Sequence, residues 1–462
     1  MRAYRPDATR LRYAAPSTLV LLVGAAAAVA AAPLCALIVM LIKLGFAVYI
    51  MPLTTALMWA AALLIIISMM SVIIAAGMHF LFSDADRIRW QVLRGLCYPA
   101  YGNPLHLKDG ERLPIVTCRL IGPGTFRLKV APGGTDFESI TKLAPHISAS
   151  LRGRYRDYAV TLANSDVSFG YVTFTLEDVQ ISRTLCVKEV GMLQPGGATL
   201  LIVQQGTYID LTTSGSMLFC GKTRSGKTTA IISLLLQVLM AGRDDYGSVV
   251  IIIDPKQAEL SRLPHVVTLD ANGEAMAILD ALRRFNEIVA VRQQILNDLS
   301  EQSGDAVHWW EAGMHPSILF LDEYVACRTM FPVKPPKGNE DYCLATFDGL
   351  IKRIVTMGAS AGCYVIISIA EASVQDGGLP SMLRSAMSTK VLMRPTMPEA
   401  RLLWSPEQLE ALAASSRVYG PGDAWFSSTD GVHDNVSYVH FPQMEFPAYR
   451  ELGRLLKEYY GD

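Results

Sequence analysis

Two long apolar runs open the chain. Residues 19–42 and 53–82 contain no Asp, Glu, Lys or Arg. Each exceeds the ~20 residues a helix needs to cross a bilayer core, so the pattern predicts a transmembrane hairpin over 19–82. The first run is too long for a cleaved signal peptide, and a second run follows at once. The flanks orient the hairpin. Arg2, Arg5, Arg10 and Arg12 precede it, Arg87, Arg89 and Arg94 follow it, and the linker over 43–52 carries only Lys43. Positive charge concentrates on the cytoplasmic side, which places the tail (1–18) and the rest of the chain in the cytoplasm, with Tyr49 and Trp59 near an interface. The alternative for the two runs is a hairpin buried in a protein core.

Beyond residue 95 the period changes. Phe126-Arg127-Leu128-Lys129-Val130 and Tyr171-Val172-Thr173-Phe174-Thr175-Leu176 alternate as strands do. Ile140, Leu143, Ile147 and Leu151 recur at three and four residues, which predicts a helix over 136–151. Residues 95–200 therefore read as a small α/β adaptor or oligomerisation domain with no constellation of catalytic residues.

Past 201 short, fully apolar runs alternate with long amphipathic ones. Val249-Val250-Ile251-Ile252-Ile253, His265-Val266-Val267-Thr268-Leu269, Ile318-Leu319-Phe320-Leu321, Tyr364-Val365-Ile366-Ile367-Ser368 and Lys390-Val391-Leu392-Met393 read as strands buried on both faces. Between them, 274–296 carries Ile278, Leu282, Phe285 and Val289 on one helical face, with Arg283, Arg284 and Glu287 off it. Strands alternating with helices predict an α/β domain over 201–462 with a mostly parallel sheet, whose ligands bind at the C-terminal strand ends.

Composition narrows the picture. The 462 residues are 51% hydrophobic with a mean hydropathy of +0.28, as membrane segments require. Net charge is −1 and pI about 6.7, so any contact with nucleic acid is local rather than through a molecule-wide basic field. The eight cysteines form no CxxC or Cys/His cluster, which argues against a zinc site or redox pair and for small core residues in a reducing compartment.

The candidate chemistry sits after Met217-Leu218-Phe219-Cys220. Gly221-Lys222-Thr223-Arg224-Ser225-Gly226-Lys227-Thr228-Thr229 follows that strand and leads into an apolar helix from Ala230 to Met240, the order that a phosphate-binding Walker A loop requires. Gly221 and Gly226 let backbone amides curl around an anion, and the helix N-terminus adds partial positive charge. Lys227 would reach the β- and γ-phosphates of ATP, and the Thr228 hydroxyl would ligate Mg2+. Asp322 and Glu323 end the apolar strand 318–321. Asp322 would orient the magnesium ion, and Glu323 would polarise the attacking water as a general base. The domain is thus expected to be a P-loop NTPase of RecA-like form.

Taken together, residues 205–445 resemble the FtsK/SpoIIIE branch of the FtsK–HerA motor ATPases. The resemblance rests on the Walker A segment, on Ile253-Asp254-Pro255-Lys256 with Glu259-Leu260, on 318–324, and on 358–374 followed by 383–394. Gly420-Pro421-Gly422-Asp423-Ala424-Trp425 is similar to a further family stretch. The family implies homo-hexameric rings that pump double-stranded DNA with ATP. A single motor domain behind a membrane hairpin looks most like the coupling ATPases of conjugative elements, which implies a place at the bacterial inner membrane and relaxosome or secretion-channel partners. Type VII secretion motors share this fold, and an ATP-binding docking scaffold is a third reading.

The departures are specific. The family's sensor strand ends in Thr-Gln-Arg-Pro, whereas Ile369-Ala370-Glu371-Ala372 stands here, leaving Ser368 as a possible substitute. No winged-helix domain is expected before Asp462, and no four-span anchor, which points away from cell division. Ring motors complete their site with a neighbour's arginine. Arg353, Arg384 and Arg394 are the candidates, and Arg394 falls where the family carries an arginine after the strand. Residues 328–337, from Arg328 to Lys337 through Lys334, form the candidate DNA-facing loop.

Overall fold

A computed structural model describes residues 16–44, 51–81, 83–97, 104–105, 112–133, 137–179, 184–194, 196–371, 379–409 and 419–461. The chain divides into two compact units, Met1–Gln180 and Ile181–Asp462.

The first unit opens with α1 (Pro16–Lys43) and α2 (Met51–Leu81), which pack against each other. Within them, Val20–Lys43 and Met51–Gly77 are long and apolar enough to cross a membrane. Most of their surface is exposed apolar side chain among the described residues, Trp59 at 78%. Gly24 marks their close approach. A Cβ there would lie 1.7 Å from the Ser71 hydroxyl oxygen, and small residues of this kind let spanning helices meet. The tail arginines before residue 16, Tyr49 and Phe82 lie outside the described residues.

Helix α3 (Asp84–Cys97) buries Ile88, Val92 and Leu96 at a four-residue repeat. After it come β1 (Ile115–Gly122), β2 (Thr125–Ala131), α4 (Phe137–Thr141), α5 (Ala144–Ser150), β3 (Tyr158–Ser165) and β4 (Val172–Asp178). Helix α3 packs against α5 and β1. The four strands form one antiparallel sheet in the order β1-β2-β4-β3. Phe126, Leu128 and Val130 point into the core with Val172, Phe174 and Leu176, the alternation of a sheet covered on one face. The single helix expected over 136–151 is two helices. Ile140, Leu143, Ile147 and Leu151 are all buried as the spacing implied. Pro145, which lacks an N–H, begins a new helix after Leu143 instead of continuing the old one.

The second unit runs β5 (Cys186–Val187), β6 (Leu200–Gln204), β7 (Thr207–Asp210), β8 (Met217–Cys220), α6 (Lys227–Ala241), β9 (Val250–Ile253), β10 (Val266–Val267) and α7 (Met276–Ser303). It continues with β11 (Ser317–Leu321), α8 (Tyr324–Thr329), α9 (Leu344–Met357), β12 (Cys363–Ile369), α10 (Ser381–Ala386), β13 (Thr389–Met393), α11 (Met397–Leu403) and α12 (Pro406–Leu409). β14 (Asp423–Ser428), β15 (Ser437–His440), β16 (Gln443–Met444) and α13 (Ala448–Tyr460) close it. Eight strands make the central sheet, ordered β10-β9-β11-β12-β8-β13-β14-β15. The first six are parallel, and β14 and β15 run antiparallel at one edge.

Successive residues of each central strand enter opposite cores. Ile318 and Phe320 join α6 and α13 on one face, while Leu319 and Leu321 join α7 and α9 on the other. This is the doubly covered parallel sheet of a P-loop NTPase. Strand β10 is only two residues long; His265 before it takes a left-handed conformation, φ 59°, and Thr268 and Leu269 after it leave the ladder. The stretch 184–200, read from sequence as adaptor, packs here instead. β5 pairs in parallel with β16, and Val187 and Leu193 enter the core beside α6.

Candidate nucleotide site

The site forms at the C-terminal ends of the parallel strands. β8 leads into a loop whose backbone is held from three sides. The Gly221 N–H donates to the Ile369 carbonyl at 3.1 Å, Ser225 N–H to the Lys222 carbonyl at 3.1 Å, and Gly422 N–H to the Ser225 carbonyl at 3.0 Å. Gly226, which starts α6, has φ +92°, and a Cβ there would stand 2.8 Å from the Gly422 nitrogen. Any side chain would meet both the strained conformation and this backbone. The 420–423 stretch singled out in the sequence thus braces the loop. Ser225 Oγ is buried beneath the loop, beside Gly221, and has no hydrogen-bond partner.

Lys227 is the first residue of α6, with its side chain 11% exposed. Its ammonium donates to the Ile369 carbonyl at 3.0 Å and lies 3.7 Å from Glu323 Oε2. Thr228 and Thr229 occupy the first turn beside it, while Lys222, Thr223 and Arg224 are exposed along the loop. Lys222 reaches Glu399 at 3.5 Å.

The acidic pair ends β11. Ser368 Oγ, from β12, donates to Asp322 Oδ1 at 2.6 Å and accepts the Glu323 N–H at 2.9 Å. Glu323 itself adopts φ 50°. Its Oε1 accepts the Ala370 N–H at 3.1 Å, and its Oε2 faces Lys256 at 3.1 Å. Lys256 is aimed by its own turn. The fully buried Asp254 carboxylate accepts the backbone N–H groups of Lys256, Ala258 and Ser261 at 3.1, 3.0 and 3.0 Å. Lys227, Asp322 and Glu323 therefore lie together at the strand ends. Lys256 and the Ala370 N–H were not assigned a role there. The Asp-Pro-Lys stretch is the one signal that pointed to Lys256. A main-chain donor leaves no trace in sequence. The substituted segment after β12 is described as far as Glu371, and 372–378 lie outside the described residues.

Arg394 follows β13, the neighbour of β8. Its N–H donates to the Asp423 carbonyl at 2.8 Å, its φ is 47° and its side chain is exposed. Arg353 is exposed on α9. Arg328 is committed elsewhere, in an ion pair of 2.8 Å with Asp348, which also accepts from the Tyr324 hydroxyl. The DNA-loop candidate 328–337 thereby loses its first cation, while Lys334 and Lys337 remain exposed.

Burial holds the Asp322 carboxyl above the ordinary carboxylate range. The Ser368 hydrogen bond and Lys227 oppose this, and Asp254 and Glu323 reinforce it. The nucleotide-free fold thus keeps the Asp322 proton to higher pH than the unfolded chain. This contribution to stability is present at low pH and is lost as pH rises through the raised value. Ser368→Ala removes a bond that favours the carboxylate. The acid limb of the ATP-turnover profile is then expected to shift to higher pH. A pH–rate comparison of the two proteins checks this, and an unmoved limb assigns Ser368 to packing alone.

The residues present fit a nucleotide with Mg2+. The loop opens at the N-terminus of α6 with the Lys227 ammonium as donor for phosphates, and the Thr228 hydroxyl and Asp322 carboxylate offer oxygens to an ion. Among the described residues no three His, Cys, Asp or Glu form a metal cage.

Residues 200–326 match the family model for the FtsK/SpoIIIE family. The second unit carries an FtsK/SpoIIIE-type domain. The FtsK domain-containing protein YdcQ of Bacillus subtilis is 26% identical over 152 residues, 33% of this chain and 28% of that protein. DNA translocase FtsK of Rhizobium meliloti is 23% identical over 411 residues, 78% of this chain and 44% of that one. The chain therefore spans less than half the length of either FtsK relative. Among solved structures, the pCW3 conjugation coupling protein TcpA with ATPgS aligns at 13% identity and a TM-score of 0.47, over 81% of this chain and 99% of that one. EssC ATPases 2 and 3 from Geobacillus thermodenitrificans align at 16% identity and a TM-score of 0.42, over 60% and 52%.

Proposed function

We propose that the protein is a membrane-anchored ATPase that drives DNA, acting as a coupling protein in conjugative transfer. The observation that carries the proposal is the meeting of Lys227, Asp322 and Glu323 at the strand ends of an FtsK/SpoIIIE-type domain. Lys227 moves from the Ile369 carbonyl to the β- and γ-phosphates, and the amides of 222–228 wrap the phosphate chain. Thr228 and Asp322 would hold a Mg2+ ion, which would supply charge neutralisation at the phosphates. Glu323 takes the proton of the attacking water. Arg394, exposed at the same sheet edge, is the arginine that a ring neighbour would offer to the developing charge, with a homo-hexamer as the assembly. The two apolar helices fix the protein in the inner membrane with the motor in the cytoplasm, by the arginine flanks.

The test uses the full chain in lipid nanodiscs. ATP turnover is expected to rise on addition of duplex DNA and to stay at its basal level with an equal mass of secreted peptide. Stimulation by peptide and not by DNA would make the protein a secretion motor instead.

A further inference from the structure

A concavity of about 520 Å³ opens over α10, β13 and α11. Ser381, Arg384 and Ser385 stand at i, i+3 and i+4 on α10 and so share one helical face. Lys390 reaches the concavity from β13 and Arg401 from α11, over a floor that includes Trp404. Three cations and two hydroxyls thus line one opening, and among the described residues no carboxylate lines it. Glu399, on α11, is turned to Lys222. Lys390 is half-buried, and its ammonium has the Leu403 carbonyl at 3.4 Å. Burial, then the charge of Arg384, lowers its pKa. Gathering like charges in a concave, partly desolvated place is unfavourable alone, and an anion seated among them reverses the sign.

We infer that this concavity binds the sugar–phosphate backbone of the DNA that the motor moves, through Arg384, Lys390, Arg401 and the two serine hydroxyls. The inference rests on the DNA-translocating reading. Arg, Lys and Ser are the side chains that hold phosphates without reading bases. Arg384, a candidate from sequence for a neighbour's nucleotide, is by this assignment a DNA contact.

The test measures affinity of the full chain in nanodiscs for a labelled 40-base-pair duplex between 50 and 200 mM NaCl, with a non-hydrolysable ATP analogue present. Each cation–phosphate contact contributes ~0.9 to the log–log salt slope. Arg384→Ser with Arg401→Ser is therefore expected to reduce the slope by about 1.8, so that the variant loses roughly tenfold less affinity than the wild type across that range. Arg384→Lys with Arg401→Lys keeps both charges and is expected to restore most of the slope, which separates contact loss from misfolding. In turnover assays the serine pair raises the DNA concentration for half-stimulation and spares the rate at saturating DNA. An unchanged slope, or a collapse of the saturated rate instead, overturns the site. A wild-type protein that binds no duplex at 50 mM NaCl removes the DNA-translocating reading itself, and the site with it. Wild-type binding with an unchanged variant slope removes only the site.

Discussion

Glu323→Gln is expected to lower ATP turnover by about 10²–10⁴-fold while ATP still binds. The size follows from the role, because a general base contributes that much when it alone takes the proton of the attacking water. Persistence of binding follows from the geometry. Glutamine cannot form the ion pairs of 3.1 Å to Lys256 and 3.7 Å to Lys227. Lys227 is then less tied to the strand end and freer to meet phosphate. Binding of a fluorescent ATP analogue should be equal or tighter in the variant, while phosphate release in steady state falls. Lys227→Ala should instead lose the binding. Turnover at the wild-type rate in the glutamine variant would move the base elsewhere, and a wild type that binds ATP without turnover would favour the docking scaffold.

The second large effect lies at the opposite end of the sheet. Arg292, on α7, is completely buried and forms a 3.3 Å ion pair with Asp244, itself 1% exposed. The guanidinium donates Nε to the Ala361 carbonyl at 2.8 Å and Nη2 to the His315 carbonyl at 2.7 Å. Asp244 accepts the N–H groups of Tyr246, Ser248 and His315 at 2.9, 3.0 and 2.7 Å. One pair thereby ties the chain just before β9, β11 and β12. Removing one partner strands the other charge inside, so Arg292→Ala is expected to cost about 3–5 kcal/mol. At roughly 2–4 °C per kcal/mol for a unit of this size, the thermal midpoint should fall by about 6–20 °C. Asp244→Asn should lose much of the same stability, since it keeps the shape and removes the charge. Calorimetry reads the shift. ATP affinity of the protein still folded at low temperature should be unaltered, because none of these groups touches the nucleotide loop. A fall under 1 kcal/mol in both variants would mean that water reaches the pair.

The two predictions differ in how far sequence alone leads to them. Glu323 was legible because its chemistry is local. An apolar strand ending in two acids, read beside a glycine-rich loop, leaves few other roles. Arg292 was not legible. It lies four turns into an amphipathic helix, three residues past Val289 and so close to the apolar face, where a basic residue commonly buries its stem and keeps its charged head in water. Its burial depends on Asp244 and on two carbonyls from segments that reach it only in the folded chain.

The same division holds for the whole molecule. Local pattern determined the two membrane-length helices, the strands buried on both faces, the phosphate loop and the acids that answer it. Each of these depends on side-chain period or on backbone freedom within a few neighbouring residues. Tertiary structure decided the rest. It placed β12 between β8 and β11, so that Ser368 and the Ile369 carbonyl stand between the loop lysine and the acidic pair. It drew 184–200 into the second unit and set Lys256 against Glu323. Strand order and charge pairing of this kind arise from contacts between residues far apart in the chain, and the period of hydrophobic positions carries no record of them.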